Sequence, residues 1–125
     1  MIPTEFFQIS SDESINFVDL TLPVTVDPQE FEQLNASFSQ IFAESPGDRW
    51  VLDLSHVSYM GSSALGLLVN VRQKINAAGG RLVLCGLSPR LLQIFHTCCL
   101  ERLFTIVKTR ENARRELRGS KRAHG

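Results

Sequence analysis

The sequence has no long run of apolar residues. Its 125 residues are 43% hydrophobic and 21% charged, yet no apolar stretch approaches the roughly 18 residues that a membrane-spanning helix needs. The first ten residues, MIPTEFFQIS, have no basic region and no long apolar stretch, so we expect no secretory signal. This composition excludes intrinsic disorder, and the length is that of one domain with one core.

The sequence has few cysteines, and the intervals between them are not those of a metal site. The chain contains three cysteines, Cys85, Cys98 and Cys99, and no CxxC or HxxxH pattern accompanies them. Adjacent cysteines are poorly placed to chelate one ion, so we predict neither a metal site nor any other cofactor. Without export, the three are expected to be reduced thiols in the cytoplasm.

Positive charge is missing from the first 48 residues, which hold nine acidic side chains and no lysine or arginine. The remaining residues carry all thirteen basic side chains and four acidic ones. This asymmetry predicts either a charged face for a protein partner or two halves that complement each other across the fold. Residues 108–125 hold seven basic and two acidic side chains but no aromatic residue for stacking, so we expect no nucleic-acid binding.

Hydrophobic periodicity predicts an α/β fold with the element order ββαβαβαβα. The β-type runs at 5–10 and 14–20 are close enough to form an antiparallel hairpin, whereas the later strand–helix–strand units require parallel pairing with right-handed crossovers. We therefore expect one five-stranded mixed sheet with about four helices, in a domain over 1–118 that a flexible basic tail over 119–125 follows. The other predicted strands are 50–54, 81–85 and, at a sheet edge, 104–107; the predicted helices are one of about 15 residues opening at Asp27-Pro28, 63–78, one opening at Ser88-Pro89, and 109–117.

Helical spacing also predicts which side chains face the core. Asp27 at the N-cap, with Glu30 at the third helical position, opens the first helix, and a glycine at 79–80 suits the left-handed position after the second. The predicted inward-facing residues are Phe31, Leu34, Phe38 and Ile41 in the first helix, Ala64, Leu68, Val71, Ile75 and Ala78 in the second, and Leu91, Leu92 and Phe95 in the third.

The segment YMGSSALG, residues 59–66, links the predicted central strand to the second helix. That junction is where α/β sheets expose ligand and partner sites. Ser62 or Ser63 is expected at the N-cap or in the first turn. There a hydroxyl can cap a free backbone N–H, and an added phosphate would meet the positive end of the helix dipole. Position alone leaves both a structural cap and a functional serine open.

No enzymatic motif fits this loop. A nucleophile elbow needs GxSxG, but here the second glycine comes one residue too late. A Walker loop needs a lysine, and none lies between residues 1 and 73. The three histidines, His56, His96 and His124, have no evident orienting partner, so we predict no catalytic residue.

A phospho-accepting receiver domain is an alternative of similar architecture. Asp12, Glu13, Asp53 and Lys108 are the residue types of its pocket. That pocket needs its acidic pair at the end of a first strand that leads directly into a helix. Here Asp12 and Glu13 are predicted in a hairpin turn and Asp53 inside a strand, which argues against this alternative.

Residues 53–68, DLSHVSYMGSSALGLL, and 77–89, AAGGRLVLCGLSP, resemble the STAS domains of bacterial anti-sigma-factor antagonists. The pattern of that family is Asp-Leu, a few residues, Asp-Ser-Ser-Gly/Ala-Leu-Gly, a helix, Gly-Gly, a strand and Ser-Pro. The resemblance covers about residues 5–118. Residues 52–89 are its specific part, and the rest matches by element order.

The resemblance implies a non-enzymatic protein that binds an anti-sigma factor, itself a serine kinase, and so frees the sigma factor. The kinase phosphorylates the first serine of the pair, which ends binding until a phosphatase removes the phosphate. By position the implied phosphoacceptor is Ser62, with Ser63 as the neighbouring alternative. The implied partner-binding residues are Gly61, Ser62, Ser63, Leu65 and Gly66.

The chain departs from the family pattern at three places. Gly61 replaces the aspartate before the serine pair, residues 21–24 (TLPV) replace Gly-x-Leu-Asp, and Cys99 replaces the glycine that commonly ends the third helix. The first two departures leave open a STAS module that meets no kinase and serves as a scaffold in a signalling assembly or as a partner of a transporter. A small enzyme or nucleotide binder using residues 61–66 is a third class, without an identifiable base or metal site.

Overall fold

One five-stranded mixed sheet organises the chain. The computed structural model describes residues 7–12, 14–22, 27–44 and 48–119. The sheet has the order β1-β2-β3-β4-β5; its first two strands pair antiparallel and the others parallel. The predicted element order and the predicted hairpin are therefore confirmed. The strands are β1 (Phe7–Asp12), β2 (Ile15–Leu20), β3 (Arg49–Asp53), β4 (Arg81–Cys85) and β5 (Thr105–Val107).

Four helices connect and cover the strands: α1 (Pro28–Glu44), α2 (Ser62–Ala77), α3 (Pro89–Thr97) and α4 (Arg110–Gly119). Parallel pairing of β2 to β5 requires each intervening helix to run back against the strands. The helices therefore begin near the edge of the sheet where these parallel strands end, which we call the carboxyl edge. The loop before α2 lies at this edge.

Side-chain caps fix two of the helix starts as predicted. Asp27 Oδ1 accepts a 2.8 Å hydrogen bond from the Glu30 backbone N–H, and Glu30 Oε1 accepts one of 3.1 Å from the Asp27 N–H, which is a reciprocal capping box. Ser88 Oγ accepts a 3.1 Å bond from the Leu91 N–H at the start of α3, with Pro89 at the first helical position. Both signals were readable from residue spacing.

The core has two unequal parts on the two faces of the sheet. Residues of α1, α2 and α3 pack with β2, β3 and β4 into the larger cluster. On the other face α4 packs through Ala113 and Leu117 onto a smaller cluster. The sheet residues beneath α4 are Ile15, Phe17, Val51, Val83 and Cys85.

Two predicted inward-facing residues are wrong. Leu92 is 42% exposed, because the buried pair Leu91 and Phe95 lies on one helical face and Leu92 lies beside that face, about 100° around the helix from Leu91. Ala78 is exposed, because α2 ends at Ala77 and Ala78 is its C-cap with φ −89° and ψ 8°.

Element bounds differ from the predictions by a few residues at some ends. β1 continues through Ser11 and Asp12, which were predicted as a turn, and Asp12 pairs with Ile15. The predicted strand start at 5–6, residue Glu13, the substituted positions Pro23 and Val24, and tail residues 120–125 lie outside the described residues. None of the described helices is both long enough and apolar enough to cross a membrane.

Candidate functional site at the start of α2

Two buried apolar side chains fix the loop that leads from β3 to α2. Val57 and Met60 are each 2% exposed, and the Val57 N–H donates a 3.0 Å hydrogen bond to the Leu54 carbonyl. Tyr59, which lies between these two anchors in the sequence, is 38% exposed. The loop therefore presents an exposed aromatic ring shortly before the helix start.

The two serines occupy the first turn of α2. Gly61 is the N-cap residue, with φ −83° and ψ −178° and no side-chain cap. The first bond of the helix runs from the Leu65 N–H to the Gly61 carbonyl at 3.0 Å. Ser62 and Ser63 follow as the first two helical residues, and both are exposed. Of the two placements predicted for a serine, the N-cap and the first turn, the structure shows the first turn.

The predicted partner-binding residues divide by exposure. Ser62, Ser63 and Gly66 are exposed, and Gly61 is half-buried. Leu65 is 7% exposed and belongs to the larger core cluster. It anchors the first turn from beneath and offers little surface to a partner.

Sequence reasoning missed a contact between Tyr59 and the start of α3. The guanidinium carbon of Arg90 lies 5.8 Å from the centroid of the Tyr59 ring, within the range of a cation–π interaction. Arg90 follows Pro89 in the first turn of α3 and is exposed. The sequence shows an aromatic residue before α2 and a basic residue at the start of α3. No local pattern, however, links positions 59 and 90.

A second polar cluster lies at the end of β3, where the receiver alternative would need its phosphoacceptor. Asp53 is 7% exposed. Its Oδ2 accepts a 2.7 Å bond from Arg110 Nε, and its Oδ1 accepts one of 2.9 Å from the Ser55 N–H and another from the Ser55 hydroxyl. Burial alone would raise the pKa of Asp53, but the hydrogen bonds from Ser55 and Arg110 lower it below its ordinary value. The carboxylate is thus committed to internal partners.

Cys85, the last residue of β4, lies near the same cluster. Burial, followed by the charge of Asp53, raises the pKa of its thiol to about 12. This thiol therefore stays protonated and is a poor nucleophile. The next residue, Gly86, has φ +77°, and an ideal Cβ there would lie 2.5 Å from Ser55 Oγ, so the cluster requires glycine at this position.

Two of the histidines, His56 and His96, lie among the described residues. His56 is exposed in the β3–α2 loop. His96 Nδ1 lies 2.6 Å from Glu101 Oε1 at the end of α3, the end opposite the carboxyl edge. Across residues 7–12, 14–22, 27–44 and 48–119, no group of three histidine, cysteine or acidic side chains could hold a metal ion.

Comparisons of the sequence and of the structure with known proteins agree on one family. The family model of the STAS domain matches residues 8–113. The Bordetella bronchiseptica protein named "Putative anti-sigma factor antagonist BtrV" is 26% identical over 106 residues, which cover 85% of this chain and 90% of the relative.

Two solved relatives have the same fold. The unphosphorylated form of the anti-sigma factor antagonist SpoIIAA shares 24% identity and a TM-score of 0.71 over 90% of this chain and 96% of its own. RsbS of Moorella thermoacetica, with a serine-to-glutamate substitution, shares 15% identity and a TM-score of 0.77 over 92% and 97%. SpoIIAA, named as a Bacillus cell fate determinant, also has a solved phosphorylated form, with a TM-score of 0.63 at 22% identity over 89% of this chain and 98% of its own.

Proposed function

Because the chain belongs to the STAS domain family, we propose that it is a cytoplasmic anti-sigma-factor antagonist. It binds an anti-sigma factor that is also a serine kinase, and so releases the sigma factor, acting by binding and not by catalysis. The observation that supports this most directly is the exposure of Ser62 at the first helical position of α2. By its position in the family pattern, Ser62 corresponds to the first serine of the pair, which the resemblance implies is the phosphoacceptor.

Phosphorylation of Ser62 is the switch in this proposal. The kinase transfers a phosphoryl group from ATP to Ser62 Oγ, releasing ADP and the hydroxyl proton, and a phosphoserine phosphatase restores the hydroxyl. Phosphate adds about −1.5 to −2 charges. The helix dipole of α2 tolerates this charge at its N-terminus, but a partner packed closely on Ser62, Ser63 and Gly66 does not. A loss of about 3 kcal/mol in binding would weaken the complex roughly a hundredfold.

A second candidate is a STAS scaffold that no kinase modifies. The absence of a side chain at Gly61 supports it, because the carboxylate that precedes the serine pair in the family pattern is missing here. If a negative charge at position 62 leaves the affinity for the partner unchanged, the result favours the scaffold over the switch.

The switch is tested with two substitutions at one position. We expect Ser62→Asp to abolish binding to the kinase that labels the chain in extracts of its host, and Ser62→Ala to bind without regulation. Binding is measured by calorimetry with the purified kinase. Ser63→Ala should bind like the unmodified chain, and Gln73→Glu adds a negative charge at the far end of the same helix as a control. Equal affinity of Ser62→Asp and Ser62→Ala would rule out the switch.

A further inference from the structure

The ring of Tyr59 borders the residue that precedes Ser62. Among the described residues beyond its chain neighbours, one atom comes within 4 Å of an ideal Cβ built on Gly61, namely Tyr59 Cε2 at 3.9 Å. No side chain at position 61 therefore separates the aromatic ring from the helix start. The cation of Arg90 lies against the same ring, 5.8 Å from its centroid.

The charges around this point are favourable for an anion. Residues 54–63 and 88–95, which form the loop and the starts of α2 and α3, contain no acidic side chain, and neither helix has an acidic residue in its first turn. Two helix N-termini add partial positive charge at the carboxyl edge. The titratable groups of the two segments are His56, Tyr59 and Arg90.

Three acidic groups elsewhere on the carboxyl edge, Asp27, Glu30 and Asp53, accept hydrogen bonds from within the chain. Asp27 and Glu30 accept hydrogen bonds from each other's backbone amides. Asp53 accepts from Ser55 and Arg110. Arg90, by contrast, is exposed and lies against the uncharged ring of Tyr59.

We propose that Arg90, held against the Tyr59 ring, binds the phosphate group when Ser62 is phosphorylated. A guanidinium offers paired donors that match phosphate oxygens, and its long side chain can turn from the ring toward the helix start. The phosphorylated state then carries an internal counter-ion. This inference deepens the proposed function, because it concerns the phosphate that the switch requires.

The test places phosphoserine at position 62 by genetic encoding, so it needs neither the kinase nor the partner. The phosphate is titrated by phosphorus NMR at low ionic strength, where its second pKa would be about 6 without a neighbouring cation. We expect this pKa in the otherwise unmodified chain to lie about half a unit below that in Arg90→Ala. Arg90→Lys should recover part of the difference.

Matched controls separate a local contact from general electrostatics. Arg102→Ala removes an exposed arginine beyond the end of α3 and should leave the titration unchanged. Gly61→Asp places a carboxylate between Tyr59 and Ser62 and should raise the phosphate pKa. The proposal is overturned if Arg90→Ala titrates like the unmodified chain. A host that never phosphorylates Ser62 would instead contradict the proposed function and leave the NMR result intact.

Discussion

At the scale of single residues, Cys99 occupies a position better suited to glycine. Its φ is +60°, in the left-handed region that disfavours side chains with a Cβ. The turn closes α3, since the Cys99 N–H donates to the His96 carbonyl at 3.0 Å and the Leu100 N–H to the Phe95 carbonyl at 2.8 Å. Here the family pattern has glycine, and the backbone gives the physical reason.

We predict that Cys99→Gly stabilises the protein by about 1 kcal/mol, because glycine adopts positive φ without steric cost. Urea unfolding with an unchanged m-value measures the gain. Cys98→Gly is the matched control. Cys98 is the adjacent exposed residue with φ −90°, so its replacement should give no gain. Equal effects of the two substitutions would show that the left-handed backbone is not the cause.

Gly61 is a different case at the same scale. Its backbone is extended, with φ −83° and ψ −178°, so nothing in the conformation requires glycine. Its open surroundings would also accept an aspartate. The departure from the family pattern at this position therefore changes the chemistry beside Ser62 and leaves the backbone geometry intact.

At the scale of elements, α4 is attached to the sheet by a small apolar patch and by arginines. The guanidinium carbons of Arg110 and Arg114 lie 5.3 and 4.9 Å from the centroid of the Phe17 ring. Arg110 also bonds to Asp53 at 2.7 Å, and Arg114 to Asp12 at 2.6 Å. Of these carboxylates, Asp53 is the more buried, with a side chain 10% exposed against 55% for Asp12.

The lowered pKa of Asp53 makes this attachment sensitive to acid. A carboxyl whose folded-state pKa lies below its unfolded value stabilises the fold above the unfolded value, and the effect is lost as the pH falls through the folded value. We expect Asp53→Asn to cost about 1–2 kcal/mol at neutral pH and to flatten the decline in stability below about pH 4.

The arginine partner supplies the control for this prediction. Because Asp53 and Arg110 share one interaction, the double variant Asp53→Asn with Arg110→Gln should lose less stability than the sum of the single variants. Urea unfolding at a series of pH values measures all three. Additive losses, or an unchanged acid profile in Asp53→Asn, would show that the pair does not hold α4.

Local patterns were sufficient to predict the elements but not the contacts between them. Asp27, Glu30 and Ser88 mark helix starts through bonds that span three residues, so their spacing alone was informative. The pairs Asp53–Arg110 and Tyr59–Arg90 join residues 57 and 31 positions apart, and both depend on where parallel strands end. Leu92 was mispredicted because it is apolar and adjacent to Leu91. The sequence alone does not tell whether the buried face of α3 is wide enough to include it.

At the scale of the whole molecule, the uneven charge along the chain is partly explained by pairing across the fold. Asp12 and Asp19 belong to the acidic first 48 residues, and they lie 2.6 and 3.6 Å from Arg114 and Arg110 of α4. These pairs favour the interpretation of two complementary halves. They leave Arg90 and the start of α2 as a separate positive region at the carboxyl edge.

The position of the serine pair was predictable in part, but its exposure was not. The strand–loop–helix order predicted Ser62 or Ser63 at the N-cap or in the first turn, but their exposure, and the burial of Leu65, depend on how α2 packs on the sheet. That packing leaves Ser62, Ser63 and Gly66 on the outer face. A phosphorylation switch at this surface is the central claim about the molecule.

The most direct test is to locate phosphate on the protein purified from its native host, by mass spectrometry with an acid-stability check. We predict acid-stable phosphate on Ser62 that rises or falls with growth and stress conditions. Acid-labile phosphate on Asp53, or no phosphate on Ser62 in any condition, would contradict the switch; the second result would favour the unmodified scaffold.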